Sequence, residues 1–195
     1  SGDRYWTADL DAGPDPPVVT ADGVYVAGRD GLHALNHDGT EQWRYPPAES
    51  TPTTEAGGHR RGFLSVSSPA VGDDAVYCSV EGRLLALDPT DGTERWRHED
   101  VTRGHVVLGS DALVVTGGEH VTAVDLDGSV RWSAATDGLN GIRPAVADGT
   151  AYLAGLHGRA AAYDLESGEE RWQTQFGPDT WSQGTVPAVV DGAVA

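Results

Sequence analysis

Four short stretches of this 195-residue chain repeat one another, and this repetition constrains the fold more than any other feature of the sequence. The stretches read ALNHDGTEQW at 34–43, ALDPTDGTERW at 86–96, AVDLDGSVRW at 123–132 and AYDLESGEERW at 162–172. From Trp6 onward, the repeated tryptophans are separated by 37, 53, 36 and 40 residues. A period of about 40 residues is typical of propeller blades, and an insertion accounts for the one long interval.

Each repeat divides into four short strand-like runs that turn residues separate. In the second repeat these runs are SPAV (68–71), AVYCSV (75–80), RLLALD (83–88) and ERWRHE (94–99). Asp-Gly pairs predict tight hairpins with positive φ angles; they stand at 22–23, 38–39, 91–92, 127–128 and 148–149. We find no ten-residue stretch with a helical period.

Four-stranded units in tandem predict an all-β fold of the β-propeller type. A single blade cannot bury both faces of its sheet, whereas blades packed side by side bury these faces and leave only short edges. The rival all-β fold is a sandwich, which does not require a tryptophan at the same place in every fourth strand. The sequence therefore favours a propeller of four-stranded antiparallel blades.

The repeated motif, Ala-x-Asp followed by a turn glycine and a tryptophan, resembles the tryptophan-docking motif of PQQ-type propeller repeats. Such repeats occur in quinoprotein alcohol dehydrogenases and in the outer-membrane-assembly lipoprotein called YfgL-like or BamB-like. A Pro-Ala-Val strand opener recurs at 69–71, 144–146 and 187–189, as in these repeats. The positions that carry the resemblance are Ala34, Asn36, Gly39 and Trp43; Ala86, Asp88, Gly92 and Trp96; Ala123, Asp125, Gly128 and Trp132; Ala162, Asp164, Gly168 and Trp172.

We interpret these residues as structural fasteners between blades, not as an aromatic ligand cage. A buried tryptophan removes about 150–250 Å² from water, and a small alanine leaves room for its indole. We therefore expect Trp43, Trp96, Trp132 and Trp172 to be largely buried in equivalent places. Asn36 stands where the motif has Asp.

The pattern divides the chain into one partial propeller domain over 1–195. Its predicted segments are a lone outer strand at 4–10, blades at 16–45, 68–99, 104–135 and 143–175, an inserted loop at 46–67 and the start of a further blade at 185–195. By resemblance such rings have seven or eight blades, so we expect the chain to be part of a larger ring. The alternative is a small ring of four or five blades. Open blade ends would favour self-association.

The chain carries a formal net charge of −17, with 13 basic residues, all of them arginine. This charge repels nucleic acids and anionic membranes, and no apolar run reaches the ~18 residues of a membrane span. An acidic chain without lysine resembles proteins of extreme halophiles. An ordinary acidic secreted protein is the alternative. We expect an extracytoplasmic or cell-surface location, with the cytoplasm as the alternative.

The sequence offers little chemistry for catalysis. By resemblance, a quinoprotein site would have a vicinal cysteine pair, a tryptophan floor, and Glu, Asn and Asp on calcium, whereas this chain has the single Cys78. The stretches Asn36–Gly39 and Asp125–Gly128 resemble calcium loops but lack a distal Glu, and Asp-x-Asp-Gly also makes hairpin turns. We predict structural turns, no metal site and no cofactor here; PQQ and calcium belong only to the quinoprotein alternative.

The segment 46–67 lies outside the repeat and marks a candidate binding rim, because insertions in repeats map to loops on one face. It contains His59, the adjacent basic pair Arg60-Arg61, and Phe63. Off-register Trp181 should reach the same rim. An aromatic side chain beside arginine is typical of an interface anchor; a solvated loop is the alternative.

Two functions remain open. The first is a non-catalytic scaffold that binds a protein or peptide partner on its loop rim. The second is part of a PQQ-dependent oxidoreductase whose cofactor site lies mainly in other blades. The single cysteine and the regular repeats favour the scaffold.

Overall fold

The computed structural model describes most of the repeat region of the chain. The described residues are 5–10, 15–46, 66–99, 104–136, 139, 143–155 and 158–175, with the backbone of 189–190 and 193–194. These residues form four four-stranded antiparallel sheets and a two-stranded one. The predicted all-β propeller architecture is confirmed, although no described strand pair joins the first sheet to the last.

Each sheet is one blade whose strands pair in chain order. The first blade comprises β1 (Val18–Val19), β2 (Val24–Ala27), β3 (Leu32–Leu35) and β4 (Glu41–Tyr45), and the second comprises β5 (Ala70–Val71), β6 (Val76–Val80), β7 (Arg83–Leu87) and β8 (Glu94–His98). The third comprises β9 (Gly104–Leu108), β10 (Ala112–Gly117), β11 (His120–Asp125) and β12 (Val130–Ala135). The fourth comprises β13 (Ala145–Ala147), β14 (Thr150–Ala154), β15 (Arg159–Asp164) and β16 (Glu170–Gln175), and β17 (Val189–Val190) pairs with β18 (Ala193–Val194).

The repeated alanine lies directly opposite the repeated tryptophan of its own blade. The register pairs Ala34 with Trp43 and Ala86 with Trp96. The third and fourth blades pair Ala123 with Trp132 and Ala162 with Trp172. Because adjacent strands of a sheet lie close together, the small alanine leaves room for the indole.

A tyrosine from the second strand completes this row in three blades. The register places Tyr25, Tyr77 and Tyr152 opposite the alanine, and each ring lies 5.9–6.3 Å from the tryptophan ring of its blade. The third blade has Val114 there instead. Trp132 of that blade instead stacks on Tyr163 of the fourth blade, with ring centroids 6.2 Å apart and an interplanar angle of 27°. Its aromatic partner therefore comes from the following blade and not from its own.

The repeated glycine of one blade receives the tryptophan of the preceding blade. A Cβ on Gly92 would lie 2.6 Å from Cε3 of Trp43, and the same clash recurs between Gly128 and Trp96 and between Gly168 and Trp132. The φ angles of these glycines are between 72° and 93°. The glycine is therefore required both by the turn conformation and by the close approach of the indole.

Each of these indoles also donates a hydrogen bond to a backbone carbonyl of the same turn. Nε1 of Trp43, Trp96 and Trp132 lies 2.8–2.9 Å from the carbonyl oxygens of Pro89, Leu126 and Leu165. Trp6 makes the same contact with the first blade, at 2.7 Å from the carbonyl of His37. Each of these hydrogen bonds therefore joins a repeated tryptophan to a turn of the blade that follows it.

The expectation that all four motif tryptophans are largely buried is wrong for Trp172. Trp43 is 7% exposed, Trp96 and Trp132 are partly buried, and Trp172 is 38% exposed. The described residues offer the indole N–H of Trp172 no carbonyl acceptor of the kind that the other three have. A tryptophan here is buried by the turn of the following blade, and the described chain places no such turn on Trp172.

The length of the receiving turn decides how well the contact is covered. Gly92 and Gly168 lie four positions after the repeated aspartate that begins their turn. Gly39 and Gly128 lie only three positions after the repeated asparagine or aspartate. The hydrogen bonds of Trp43 and Trp132 onto the longer turns are partly buried. Those of Trp6 and Trp96 onto the shorter turns are exposed to solvent.

Apolar cores lie between consecutive blades. Tyr25 and Leu32 of the first blade pack against Cys78 and Leu85 of the second, and similar cores lie between the second and third and between the third and fourth blades. Burial raises the pKa of the Cys78 thiol to about 12. Since the thiolate is the reactive form, Cys78 is an inert core residue.

The predicted lone outer strand at 4–10 pairs with no described strand over residues 5–10, and it stays a prediction. One local prediction is wrong. The Asp-Gly turn at 22–23 does not place Gly23 at positive φ. Gly23 is required for space instead, since a Cβ there would lie 2.6 Å from the carbonyl oxygen of Leu35.

Candidate functional site

The predicted binding rim falls largely outside the described residues. His59, Arg60, Arg61, Phe63 and Trp181 are not among them. The described chain resumes at Val66, which forms a bridge with Val80, and the amide of Ser67 donates to the carbonyl of Ser79 at 2.9 Å. The C-terminal end of the insertion therefore lies beside the turn at Glu81-Gly82, between the second and third strands of its blade.

The alternation of strand direction gives each blade two ends. The first-to-second and third-to-fourth strand turns lie at one end, which we call the turn face. The second-to-third strand turns and the connections between blades lie at the other end, which we call the connection face. The insertion at 46–67 leaves and re-enters the blades on the connection face, whereas the repeated Asp and Gly residues lie on the turn face.

On the turn face, the repeated aspartate holds an arginine of its own blade. The Arg95 guanidinium lies 2.8 Å from the Asp88 carboxylate, Arg131 lies 2.7 Å from Asp125, and Arg171 lies 2.6 Å from Asp164. Each arginine immediately precedes the motif tryptophan, at the position where the pairing register shifts by a β-bulge. The bulge re-aims this side chain toward the turn.

The departure at Asn36 has a structural reason. The residue before Trp43 is Gln42, not arginine, and Nε2 of Gln42 donates to Oδ1 of Asn36 at 2.7 Å. The first blade therefore replaces the ion pair by an amide pair. Sequence reasoning missed this partner, although the recurring Arg-Trp dipeptide and its change to Gln-Trp beside Asn36 carried the signal.

The two stretches that resemble calcium loops use their carboxylates within the turn. Oδ1 of Asp38 accepts from the amide and hydroxyl of Thr40, at 3.0 and 2.6 Å. Oδ1 of Asp127 accepts likewise from Ser129, at 2.9 and 2.6 Å. In the described ranges, no three His, Cys, Asp or Glu side chains are grouped as a metal ion would require.

These contacts hold the pKa of four turn aspartates below the ordinary value. The hydroxyls of Thr40 and Ser129 lower the pKa of Asp38 and Asp127. The amide of Thr90, with Arg95, lowers that of Asp88. The amide of Ser167, with Arg171, lowers that of Asp164 furthest. Each carboxylate is stabilised in its charged form by the turn that it closes.

These shifts predict a loss of stability in acid. A carboxylate whose pKa is lower in the folded state contributes stability above its unfolded pKa of about 4, and this contribution disappears as the pH falls below that value. We expect the urea midpoint, measured in 2 M KCl to screen charge repulsion, to fall between pH 5 and pH 2.5. The fall should be smaller in Asp164→Asn. Equal pH profiles for the two proteins would contradict this role.

A buried histidine in the first blade was also missed. His33 is 2% exposed; its Nδ1 and Nε2 each lie 2.9 Å from a carboxylate oxygen, of Glu41 and Asp30 respectively. The equivalent residues of the second and fourth blades, Leu85 and Ala161, are apolar. The first blade therefore carries a histidine held between two carboxylates, where the second and fourth blades carry apolar residues.

In the described part of the chain, clefts open between blades on the turn face. A cleft of about 350 Å³ lies between the second and third blades, with Tyr77, Trp96 and Leu126 in its lining. A wider one of about 600 Å³ lies between the third and fourth blades, where Arg131 and Arg171 line it together with their partners Asp125 and Asp164. Asp111 and Glu166 also line this second cleft, so four carboxylates there face two guanidinium groups.

No helix in the described part of the chain is long and apolar enough to cross a membrane.

Comparison with known proteins gives one family match. The family described as outer membrane protein assembly factor BamB matches residues 1–134 and 117–195. A curated relative, the outer membrane protein assembly factor BamB of Yersinia pestis, is 27% identical over 197 residues, which are 91% of this chain and 50% of the relative. The chain therefore spans about half the length of this relative.

Solved structures of other proteins share this fold, among them a BamB and a quinohemoprotein alcohol dehydrogenase. BamB from Moraxella catarrhalis aligns with a TM-score of 0.70 at 23% identity, over 90% of this chain and 52% of that one. The quinohemoprotein alcohol dehydrogenase ADHIIG from Pseudomonas putida HK5 aligns with a TM-score of 0.70 at 19% identity, over 96% and 38%. At these identities the two alignments establish the fold alone.

Proposed function

The chain belongs to the family described as outer membrane protein assembly factor BamB, and from that premise we propose that it is a non-catalytic propeller scaffold that binds a protein or peptide partner. The family match over nearly the whole chain is the observation that carries this proposal. The described turn carboxylates support it, because they are engaged with side chains and amides of their own turns. The role within the whole protein is part of the proposal, since the chain covers about half of its relative.

Within this proposal, the repeated Ala, Asp, Gly and Trp residues act as a tryptophan-docking motif that fixes consecutive blades side by side. The indole contacts with the next turn support this role. Rigid blades hold the loops of the connection face in constant relative positions. A surface of this kind suits recognition of a partner by loops on a fixed scaffold.

We place the partner on the rim of the connection face. Its proposed contacts are His59, Arg60, Arg61, Phe63 and Trp181. The bridge between Val66 and Val80 supports this assignment, because it anchors the end of the insertion beside a turn of the connection face. Arginine and aromatic side chains are enriched among the residues that dominate interface energies.

Site-specific photo-crosslinking tests the rim. A photoreactive amino acid at Phe63 should yield a discrete crosslinked partner in cells of the source organism, and Arg60→Ala with Arg61→Ala should abolish that product. The same group at Thr90, on the turn face, is the control and should not yield it. Equal products from both positions, or none from Phe63, would contradict a partner site on the rim.

The quinoprotein alternative requires PQQ and calcium, and the likeness to the dehydrogenase keeps it open. Among the described residues, the only cysteine is the buried Cys78, which does not fit the vicinal cysteine pair implied by resemblance to that class. Titration with PQQ and Ca²⁺, followed by absorbance and calorimetry, separates the two functions. Stoichiometric binding of both would favour the oxidoreductase.

We further propose an extracytoplasmic location and a halophilic source. The family match supports the location, and the composition supports the source, since 30 acidic residues face 13 arginines and the formal net charge is −17. A high surface charge keeps a protein soluble in concentrated salt but destabilises its compact state by self-repulsion when salt is low.

The halophile proposal predicts that salt stabilises the fold. Raising KCl from 0.1 to 2 M should raise the melting temperature, and most of the rise should occur below about 1 M, where the Debye length has fallen to about 3 Å. Thermal unfolding followed by circular dichroism measures this effect. A melting temperature that stays flat or falls over the same range would remove the proposal.

A further inference from the structure

The blade from which the long insertion leaves is also the blade that contains the buried histidine. The connection from β4 to β5 spans 46–69, whereas those from β8 to β9 and from β12 to β13 span only 99–103 and 136–144. His33 directly precedes the alanine that lies opposite the motif tryptophan. The residues at this position in the second, third and fourth blades are Leu85, Thr122 and Ala161. Among the four described blades, the histidine and the longest of these three connections therefore occur together.

Asp30 joins the ring of His33 to the last strand of the blade. Its Oδ1 lies 2.9 Å from Nε2 of His33, and its Oδ2 lies 3.8 Å from Nη1 of Arg44. Nδ1 of His33 lies 2.9 Å from Oε2 of Glu41, at the start of the same strand. We call these contacts the His33 clamp. The clamp ties β3 and β4 to the turn at 28–31, which joins β2 to β3 on the connection face.

The turn at 28–31 packs directly against the residues from which the insertion leaves. A Cβ on Gly31 would clash with the carbonyl oxygen of Tyr45 and lie 3.3 Å from Cδ of Pro46. Because the backbones are in such close contact, a shift of the turn also shifts these two residues. The Tyr45 hydroxyl donates to Glu94 of the second blade at 2.9 Å. The start of the insertion is thus held by the first-blade turn and by the next blade.

Stability alone does not require a histidine at this position. The side chain of His33 is 2% exposed, whereas those of Asp30 and Glu41 are 29% and 44% exposed. Water can therefore hydrate both carboxylates when the ring is removed, and an apolar side chain like that of Leu85 in the second blade can occupy the space. Replacing buried polar partners by well-packed apolar residues is often neutral for stability.

We propose that His33 is a positioning residue for partner binding on the connection face. It holds the turn at 28–31, and through that turn the departure point at Tyr45 and Pro46, in one arrangement. A binding segment whose base is fixed loses less conformational freedom when it meets a partner, and this strengthens binding. The inference rests on the proposed function, because it concerns the same rim of the connection face.

His33→Leu tests the clamp itself by amide hydrogen exchange. The Gly28 amide, which donates to the carbonyl of Gly31 at 2.7 Å, should exchange about tenfold faster in the variant. The Gly155 amide is the control, because it donates to the carbonyl of Arg159 at 2.8 Å in the equivalent turn of the fourth blade. Its exchange and the urea midpoint should stay as in the wild type. Unchanged exchange at Gly28, or equal acceleration at both glycines, would overturn the proposal.

The crosslink from Phe63 then tests the role of His33 in binding. His33→Leu should lower the yield of the crosslinked partner about fivefold. Thr122→Leu is the matched control in the third blade, where the hydroxyls of Thr122 and Ser133 lie 3.0 Å apart across the equivalent strand pair, and it should leave the yield unchanged. A wild-type yield in His33→Leu, together with faster exchange at Gly28, would overturn the positioning role and leave the proposed function standing. Absence of the product in the wild type would overturn both.

Discussion

Replacing Trp43 by alanine is expected to lower the free energy of unfolding by about 3–5 kcal/mol, as the truncation of a large buried aromatic residue does. The side chain is 7% exposed and packs in the core between the first and second blades. Its indole N–H also donates to the carbonyl of Pro89 at 2.8 Å. The change therefore leaves both a cavity and an unpaired carbonyl. Urea denaturation in 2 M KCl measures the loss.

Trp172→Ala is the matched control within the same motif. Trp172 occupies the equivalent position of the fourth blade but is 38% exposed. Its replacement should cost about 1–2 kcal/mol, within the ordinary range of single substitutions. If both variants lost the same free energy, the packing between blades would not be the source of the stability.

Gly92→Ala is expected to lower the free energy of unfolding by about 2–5 kcal/mol. A left-handed conformation costs a residue with a Cβ roughly 1–2 kcal/mol, and φ at Gly92 is 72°. The new methyl would also lie 2.6 Å from Cε3 of Trp43, and such overpacking typically costs 1–3 kcal/mol. The same denaturation experiment gives the sum of the two effects.

Gly149→Ala separates the two contributions to this loss. Its φ angle is 65°, yet an added Cβ would meet no atom within 4 Å. This variant should therefore show only the conformational cost of about 1–2 kcal/mol. In the Trp43→Ala background, Gly92→Ala should lose its packing cost and become similar to Gly149→Ala. A Gly92→Ala cost that is unchanged in that background would contradict the contact between the indole and the turn.

The sequence predicted the blades because every level of its pattern agrees. The repeated tryptophans indicate the period of the blades, and the apolar runs indicate their strands. Ala34 and Ala86 lie opposite the tryptophans of their blades, as expected of small residues that leave room for an indole. The Asp-Gly turns were predicted well where the third strand meets the fourth. Gly23 differs because close packing, and not positive φ, requires its glycine.

Contacts between blades were less predictable, because they depend on how one turn covers the next indole. The one-residue difference between the turns that receive Trp43 and Trp96 is visible in the sequence, yet its effect on exposure emerges only when the blades are packed. The clamp around His33 joins residues three and eight positions away and has no counterpart in the other repeats. No repeat pattern could indicate it.

Indole N–H hydrogen exchange tests the central claim most directly, because each contact between consecutive blades among the four described four-stranded blades includes an indole hydrogen bond. In a two-dimensional NMR experiment, the Nε1 protons of Trp43 and Trp132 should be the most protected, since their hydrogen bonds are partly buried. Trp96 should be less protected, because its hydrogen bond is exposed, and Trp172 should exchange fastest. Equally fast exchange at Trp43 and Trp172 would contradict the account that each blade is fastened to the next through its tryptophan.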